Sequence, residues 1–462
     1  VGFPATTRSG ATGAGPSPGA LLLGGISHAA LAVAILALFL EDSKRLSAGA
    51  TTLWLGLELL GRRDAMPWSW GLLAVLLLNL RGVILQEGPT PVSHMDFVLM
   101  ISGFLVGFGR SRQRWQWSAA VVAAACAAGV LLQADIIRDY AWWGIEYKTA
   151  LLTKNQTALL GGMGTLAALL ALVLERSRRL WVPALLTILA LANLLLAKAS
   201  LSRAALALVP LSLALALLLC TPQLRPTRLA GRWRALPPRR RWPLIGLLAV
   251  VLLALGAGLV ALIQHPELLT AVYGKDNLAN DEGRLRVWSC YLGLPFLGEN
   301  RFIYGVGYAN SWMKWCSPDV IGRNLYHAHN LFLQIWGDAG VVPALFILAC
   351  FGLIGARMLR NCASSRCASS RWLLRPAKRM DWAMPLMTTA TAIYLVAFNM
   401  VELGLLKVPV LTALFGFMVS SVHYHEPTSE RQLTPTTAAA DQRDDAAQQR
   451  GSDNETRLHR AR

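Results

Sequence analysis

Acid is scarce in this chain. Its 462 residues include 26 Asp and Glu against 44 Lys and Arg, and only 15% are charged at all. Cysteine is also sparse, at seven residues, and none of the seven has the spacing that metal-binding cysteines use. That argues against a zinc-built domain. No convincing cleavage site follows the first apolar run, which is in any case too long for the core of a secretory signal. There is no clear internal repeat, so the inverted halves common in transporters are missing.

Apolar sequence is what the chain has in abundance. It is 54% hydrophobic with mean hydropathy +0.44. A soluble domain of this length would not carry so many long apolar runs. A membrane span needs roughly 20 mostly apolar residues, and twelve candidates occur, some short or interrupted by glycine. They lie near 20–40, 46–60, 67–86, 95–109, 116–136, 154–174, 180–197, 203–220, 243–263, 341–359, 382–400 and 405–423. Lipid offers no partner to free backbone groups, so these runs are expected to be helices. The expected fold is an all-α polytopic membrane protein of about twelve transmembrane helices with one large, partly helical outward loop. Many of the sixteen tryptophans, among them Trp68, Trp115, Trp181 and Trp382, fall at predicted span ends, as an interfacial belt requires.

The net charge is +18, which could suit nucleic-acid binding. The placement of the charge favours another reading. Arg62-Arg63, Arg110 to Arg114, Arg176 to Arg179, Arg225 to Arg241 and Arg357 to Arg379 all fall in connections on one side of the predicted spans. The positive-inside rule puts that side, and both termini, in the cytoplasm. No nucleic-acid partner is expected. The predicted organisation is a flexible cytoplasmic N-terminus (1–19), nine spans (20–263), an outward loop (264–331), three further spans (332–424) and a polar, disordered cytoplasmic tail (425–462).

The loop is the one long polar stretch between apolar segments that mixes His, Arg, Asp, Glu and aromatics. At about 68 residues it is too small for a large core of its own, so it is expected to lie over the membrane domain and shape a cleft with it. Asn280 or Asp281 can cap a helix carrying Arg284 to Tyr291. Positions 284, 288 and 291 share a face of that helix, and Arg286 points elsewhere. Gly298 to Gly307 reads as a glycine-punctuated turn. A new helix is expected to begin at His329-Asn330, run apolar from Leu331 to Trp336, and break at Gly337-Asp338-Ala339-Gly340. Cys290 and Cys316 either form one disulfide, closing a loop of about 25 residues worth roughly 3 kcal/mol, or are two unrelated buried thiols. Cys362 and Cys367 are expected in a cytoplasmic loop, as reduced thiols.

Several residues form an ordered set. Leu201-Ser202-Arg203 opens a span, and Gly283-Arg284-Leu285-Arg286-Val287-Trp288 opens the loop helix. Gly305-Val306-Gly307 follows, and then His329-Asn330-Leu331-Phe332-Leu333, with Gly337 and Gly340 behind it. With twelve spans and one large late periplasmic loop, the chain resembles the O-antigen ligase and polymerase superfamily, and within it the ligases of Gram-negative bacteria. The resemblance implies a multi-pass enzyme of the inner membrane with its site facing the periplasm. It implies transfer of a glycan from undecaprenyl pyrophosphate to a lipid A-core sugar hydroxyl, with inversion and without a metal or other cofactor. The expected partners are the lipid-linked donor, the lipid A-core acceptor and membrane lipids. Alternatives are a polymerase using the same donor, a protein-glycosylating relative, or a lipid or glycan transporter. The spacing Arg-x10-Gly often seen in polymerase loops does not occur from Arg284, Arg286, Arg301 or Arg323.

The residues suit the implied chemistry. An imidazole, with an ordinary pKa near 6.5, is mostly neutral at pH 7 and able to accept a proton. His329 is therefore the candidate base, with His327 as the fallback. As a residue type alone, a lone histidine ahead of a helix is as well read as a cap or a packing group. Arg284 and Arg203 are candidate pyrophosphate ligands, since guanidinium donates paired hydrogen bonds to phosphate and keeps its charge near a membrane. A surface ion pair is the bland account of Arg284, and snorkelling that of Arg203. Arg286, Asn330, His327 and Arg81 are candidate substrate-binding residues. Arg81 sits inside the third predicted span, where a charge marks a functional site unless it snorkels. Neither Glu41-Asp42, beside Lys44-Arg45, nor Asp281-Glu282 forms an Asp-x-Asp pair that would favour a metal.

Overall fold

The computed structural model describes residues 18–60, 92–135, 137–138, 151–175, 179–200, 202–220, 281–307, 311–317, 327–367, 383–401 and 408–424. Among these residues the protein is helical throughout, with no strand. In chain order the helices are α1 (Pro18–Leu36), α2 (Lys44–Leu60), α3 (Val92–Gly107), α4 (Arg112–Leu132), α5 (Lys154–Leu174), α6 (Trp181–Ala199) and α7 (Arg203–Cys220). Then come α8 (Asp281–Gly293), α9 (Glu299–Tyr304), α10 (Leu331–Ala339), α11 (Val341–Cys367), α12 (Ala383–Val401) and α13 (Pro409–Val419).

Six helical segments are long and apolar enough to cross a membrane: Leu22–Phe39, Arg112–Leu132, Lys154–Leu174, Trp181–Ala199, Val341–Cys362 and Ala383–Val401. Val98–Gly107, Ala204–Cys220 and Pro409–His423 are shorter apolar helices. The spans expected near 67–86 and 243–263, with Arg81, lie outside the described residues.

The bundle closes around α5, which packs on α4, α6 and α12. Small residues let the helices approach, as dispersion rather than water exclusion must hold them together in lipid. A methyl group on Gly161 would lie 2.7 Å from the Ala197 nitrogen, and one on Gly103 or Gly416 would collide with the backbone across the α3–α13 crossing. Buried polar groups find partners between helices. The Asn193 amide donates to the Ala123 and Leu189 carbonyls at 3.1 and 2.8 Å, tying α6 to α4.

The helix ends sort onto two sides of the bundle. On one side Gln133 meets the Phe39 carbonyl and Asn330 meets Met400. On the other, Gln116 meets Glu175, Gly109 bonds to the His423 carbonyl, Asn361 bonds to Val422, and the Cys220 and Cys362 sulfurs meet beside Thr389. Each helix joining these groups starts on one side and ends on the other, the alternation expected from the apolar runs.

One expectation fails on that second side, and one residue there has a setting the sequence did not show. Arg110 lies in the connection between α3 and α4, where its run is expected, and it is buried, at 3% exposure. It pairs with Glu58 at 3.1 Å, and Ser27 donates to the same carboxylate at 2.7 Å. Cys362 is not in a loop. Helix α11 continues through Cys367, because Arg357 to Cys367 contains no helix breaker, and Cys362 is buried against α7 and α12.

Candidate functional site

The site is built from α8, α10 and the segments between them. Helix α8 turns its Val287 and Tyr291 inward, where they cluster with Leu294, Val306, Cys316, Ala328 and Leu333. Arg286 is exposed on the same helix, as the helical spacing predicts. Cys290 and Cys316 are disulfide-bonded, with their Cα atoms 6.0 Å apart. Of the two readings left open by the sequence, this is the covalent one. The bond ties α8 to the π-helical turn Ser311–Trp315, whose Trp315 ring lies 4.4 Å from the Arg301 guanidinium. The stretch 298–307 is not all turn. Gly298 and Gly305 bound the short helix α9, and Gly305 has a φ of +70°, a conformation glycine adopts without penalty.

The His329 turn departs from expectation. Helix α10 begins at Leu331, not at His329. Asn330 is its N-cap, with extended backbone and a side-chain oxygen that accepts from the Leu333 N–H at 3.0 Å. The other end of the Asn330 side chain donates to the Met400 carbonyl at 3.0 Å, at the end of α12. His329 itself has a φ of +52°, one of two positive values among non-glycine residues described. That turn brings the His327 and His329 rings to 4.0 Å between centroids, and the His329 N–H donates to His327 Nδ1 at 3.3 Å. Two residues apart on a helix, the rings could not meet. The left-handed backbone at His329 makes the pair possible. A non-glycine residue held at positive φ is costly, and such strain concentrates at functional sites.

The break at 337–340 is also narrower than expected. Helix α10 runs through Ala339 and ends only at Gly340, whose φ is +89°. Gly337 is in the helix because Tyr291 and Leu294 pack on it, where an added methyl would lie 2.8 Å from the Tyr291 ring.

Beneath the His329 turn lies a polar network that the sequence reading missed. Gln334 is 1% exposed. Its carbonyl accepts from the Ala328 N–H at 2.8 Å, and its amide donates to an Asp338 carboxylate oxygen and toward the Tyr291 hydroxyl. The Tyr291 hydroxyl donates to Ser311 at 3.1 Å. Burial pushes the Asp338 carboxyl up to about 7, against hydrogen bonds from Ser311 and Gln334 that pull it down. Its Oδ1 has no hydrogen-bond partner among the described residues. The next peptide is held as well, since Trp288 Nε1 donates to the Ala328 carbonyl at 2.7 Å. One signal could have found the network: Gln334 and Asp338 stand four apart in an apolar helix, hence on one face.

Arg203 and Arg284 are placed by their backbones. Arg203 is the first residue of α7, as predicted, and Arg284 lies in the first turn of α8. Arg284 is one turn before Trp288, whose indole touches the peptide that precedes His329. Among the described residues, no group of three His, Cys, Asp or Glu side chains is placed to hold a metal.

No curated protein matches the chain. A family model does: residues 188–349 match the family described as O-antigen ligase. The matched stretch contains Arg203, Arg284, Arg286, His327, His329 and Asn330, and leaves out Arg81. It starts within α6 and ends within α11, so it takes in every element of the site above. Residues 188–349 of this chain thus carry an O-antigen ligase domain, set among several helices of membrane length.

Proposed function

We propose that the protein is an O-antigen ligase. It moves a glycan from undecaprenyl pyrophosphate to a sugar hydroxyl of lipid A-core at the periplasmic face of the inner membrane, and both its termini are cytoplasmic. The observation that carries this reading is the position of His329. Inside the matched segment, it is held at positive φ on a turn fixed from below by Gln334 and from the side by Trp288 and Asn330. In this mechanism the donor enters from the bilayer with its pyrophosphate at the outer interface. Arg203 and Arg284 bind that group, with Arg286 and Arg81 as further contacts. Fixed cations there stabilise the charge that develops as the carrier leaves. Pyrophosphate leaves without protonation, so no acid is needed. His329, with His327 beside it, orients and deprotonates the acceptor hydroxyl, which attacks the anomeric carbon with inversion. The reaction is proposed to run without a metal.

The test is complementation of a ligase-deficient Gram-negative strain with a matching core. Wild type, His329→Ala and Arg284→Ala are compared at equal membrane expression, and the lipopolysaccharide ladder is read on a gel. A ladder restored by wild type and lost in both variants supports the assignment. Chain lengthening in a polymerase-deficient strain, without a ladder in the ligase-deficient one, gives the function to the polymerase reaction instead.

A further inference from the structure

The two peptides that meet at Ala328 are each held. The Ala328 N–H, in the His327–Ala328 peptide, donates to Gln334, and the Ala328 C=O, in the peptide that precedes His329, accepts from Trp288. Ala328 is fully buried. A residue at positive φ costs energy and persists only where its surroundings over-determine it. Here the surroundings are these two bonds, together with the Asn330 cap one residue further on. What they hold is the direction in which the His329 side chain leaves the backbone.

The grip from below depends on which way the Gln334 amide points. Its carbonyl must face Ala328, because that partner is an N–H. Its amide nitrogen then faces Asp338, whose Oδ2 accepts from it, and the Tyr291 hydroxyl. Turned over, the amide would set donor against donor at Ala328 and, with Asp338 ionised, acceptor against acceptor there. The carboxylate therefore reinforces the orientation of the amide, and the amide holds the Ala328 backbone.

We propose that Gln334 and Asp338 are positioning residues for His329, acting through the Ala328 backbone without touching substrate. This rests on the reading of His329 as the base. It assigns a task to a buried carboxyl and amide that the transfer reaction itself leaves unused.

Three sets of substitutions in the full-length, detergent-solubilised protein test it. Gln334→Met keeps the volume and removes the acceptor. Trp288→Phe removes the donor to the Ala328 carbonyl, in the peptide that leads into His329. Asp338→Leu and Asp338→Asn remove or keep an acceptor for the Gln334 amide. Transfer is assayed with lipid-pyrophosphate glycan and lipid A-core. The expected result for Gln334→Met is a kcat roughly 10- to 100-fold lower, the scale of a misplaced catalytic group. The donor KM should stay within about twofold, since ground-state binding is untouched. In a His329→Ala background the same substitution should lower the residual rate no further. A merely structural role would lower it in both backgrounds by the same factor, and that outcome overturns the proposal. Trp288→Phe should repeat the pattern more weakly, and it decides the matter if Gln334→Met does not fold. Asp338→Asn should recover most of the turnover that Asp338→Leu loses.

A second readout needs no turnover. Diethylpyrocarbonate modifies exposed imidazole, and the modified site is located by peptide mass. In Gln334→Met and Trp288→Phe the rate at His329 should change several-fold, because the ring is no longer held. If wild type transfers no glycan, the functional reading fails, and this rate alone judges the anchor. An unchanged rate in both variants sinks it.

Discussion

Asn330 joins the His329 turn to two helices at once, and the two attachments can be separated. Its oxygen caps α10, and its nitrogen ties the turn to the end of α12. Losing an N-cap costs about 1 kcal/mol. Losing a hydrogen bond to a carbonyl that is left without its donor costs about 1 kcal/mol or more. Asn330→Ala removes both, and Asn330→Asp keeps the acceptor that caps and loses only the tether. A carboxylate at a helix N-terminus is, if anything, a better cap. The expected costs are then about 2 kcal/mol for alanine and about 1 kcal/mol for aspartate. They should be felt as local opening of α10 rather than global unfolding. Because about 1.4 kcal/mol is a factor of ten, exchange of the α10 amides should quicken about 25-fold in Asn330→Ala and about fivefold in Asn330→Asp. The assay is hydrogen–deuterium exchange read on peptides covering 327–340. Equal acceleration in the two variants would refute the argument, because it would mean that the cap contributes nothing and the tether everything. No acceleration in either would mean that the turn is held without Asn330.

The remaining predictions concern the disulfide and the buried carboxyl. Cys290 and Cys316 are 26 residues apart. Closing such a loop in the unfolded chain is worth about 3.5 kcal/mol by chain entropy, so reductant or Cys290→Ser should lower the melting temperature of the purified protein. A melt insensitive to both would show that the bond does not stabilise the loop. Asp338 has a folded pKa of about 7 against an ordinary 3.8. Its contribution to stability is therefore fully present below the unfolded value and is lost as pH rises through the folded one. The whole shift corresponds to roughly 4 kcal/mol as an upper bound. Asp338→Asn should flatten the fall in melting temperature between pH 5 and pH 8, and parallel curves for the two proteins would contradict the burial argument.

Much of the architecture could be read from the chain because lipid leaves so few choices. An apolar run such as 154–174 can only be a helix there, and α5 matches it residue for residue. The start of α7 at Arg203 was legible for a similar local reason. Contacts between distant residues were not. Nothing near Arg110 announces that it is buried, because its partner Glu58 lies 52 residues upstream. Helical spacing could not show that the His327 and His329 rings meet, because neither residue is in a helix and His329 stands at positive φ. The network under the turn was hidden for both reasons. Gln334 goes unremarked in an apolar helix and Asp338 is assigned to the break after it, because Tyr291 and Ser311, which complete the network, come from the far side of the loop.

The junction between α10 and α11 has a further consequence. The Val306 and Gly307 N–H groups bond to the Gly337 and Asp338 carbonyls at 3.0 and 2.9 Å. Gly305 and Gly340 leave no room for a methyl group between the two backbones. The loop and the first turn of α11 are thus locked together and must rise or sink as one piece. Helix α11 is apolar and of membrane length, so its depth is set by the match between its apolar stretch and the hydrocarbon thickness. The bilayer then acts as a ruler. It sets the height of the His329 imidazole above the lipid surface, and so the distance it must reach to a glycan whose carrier is anchored in that same surface.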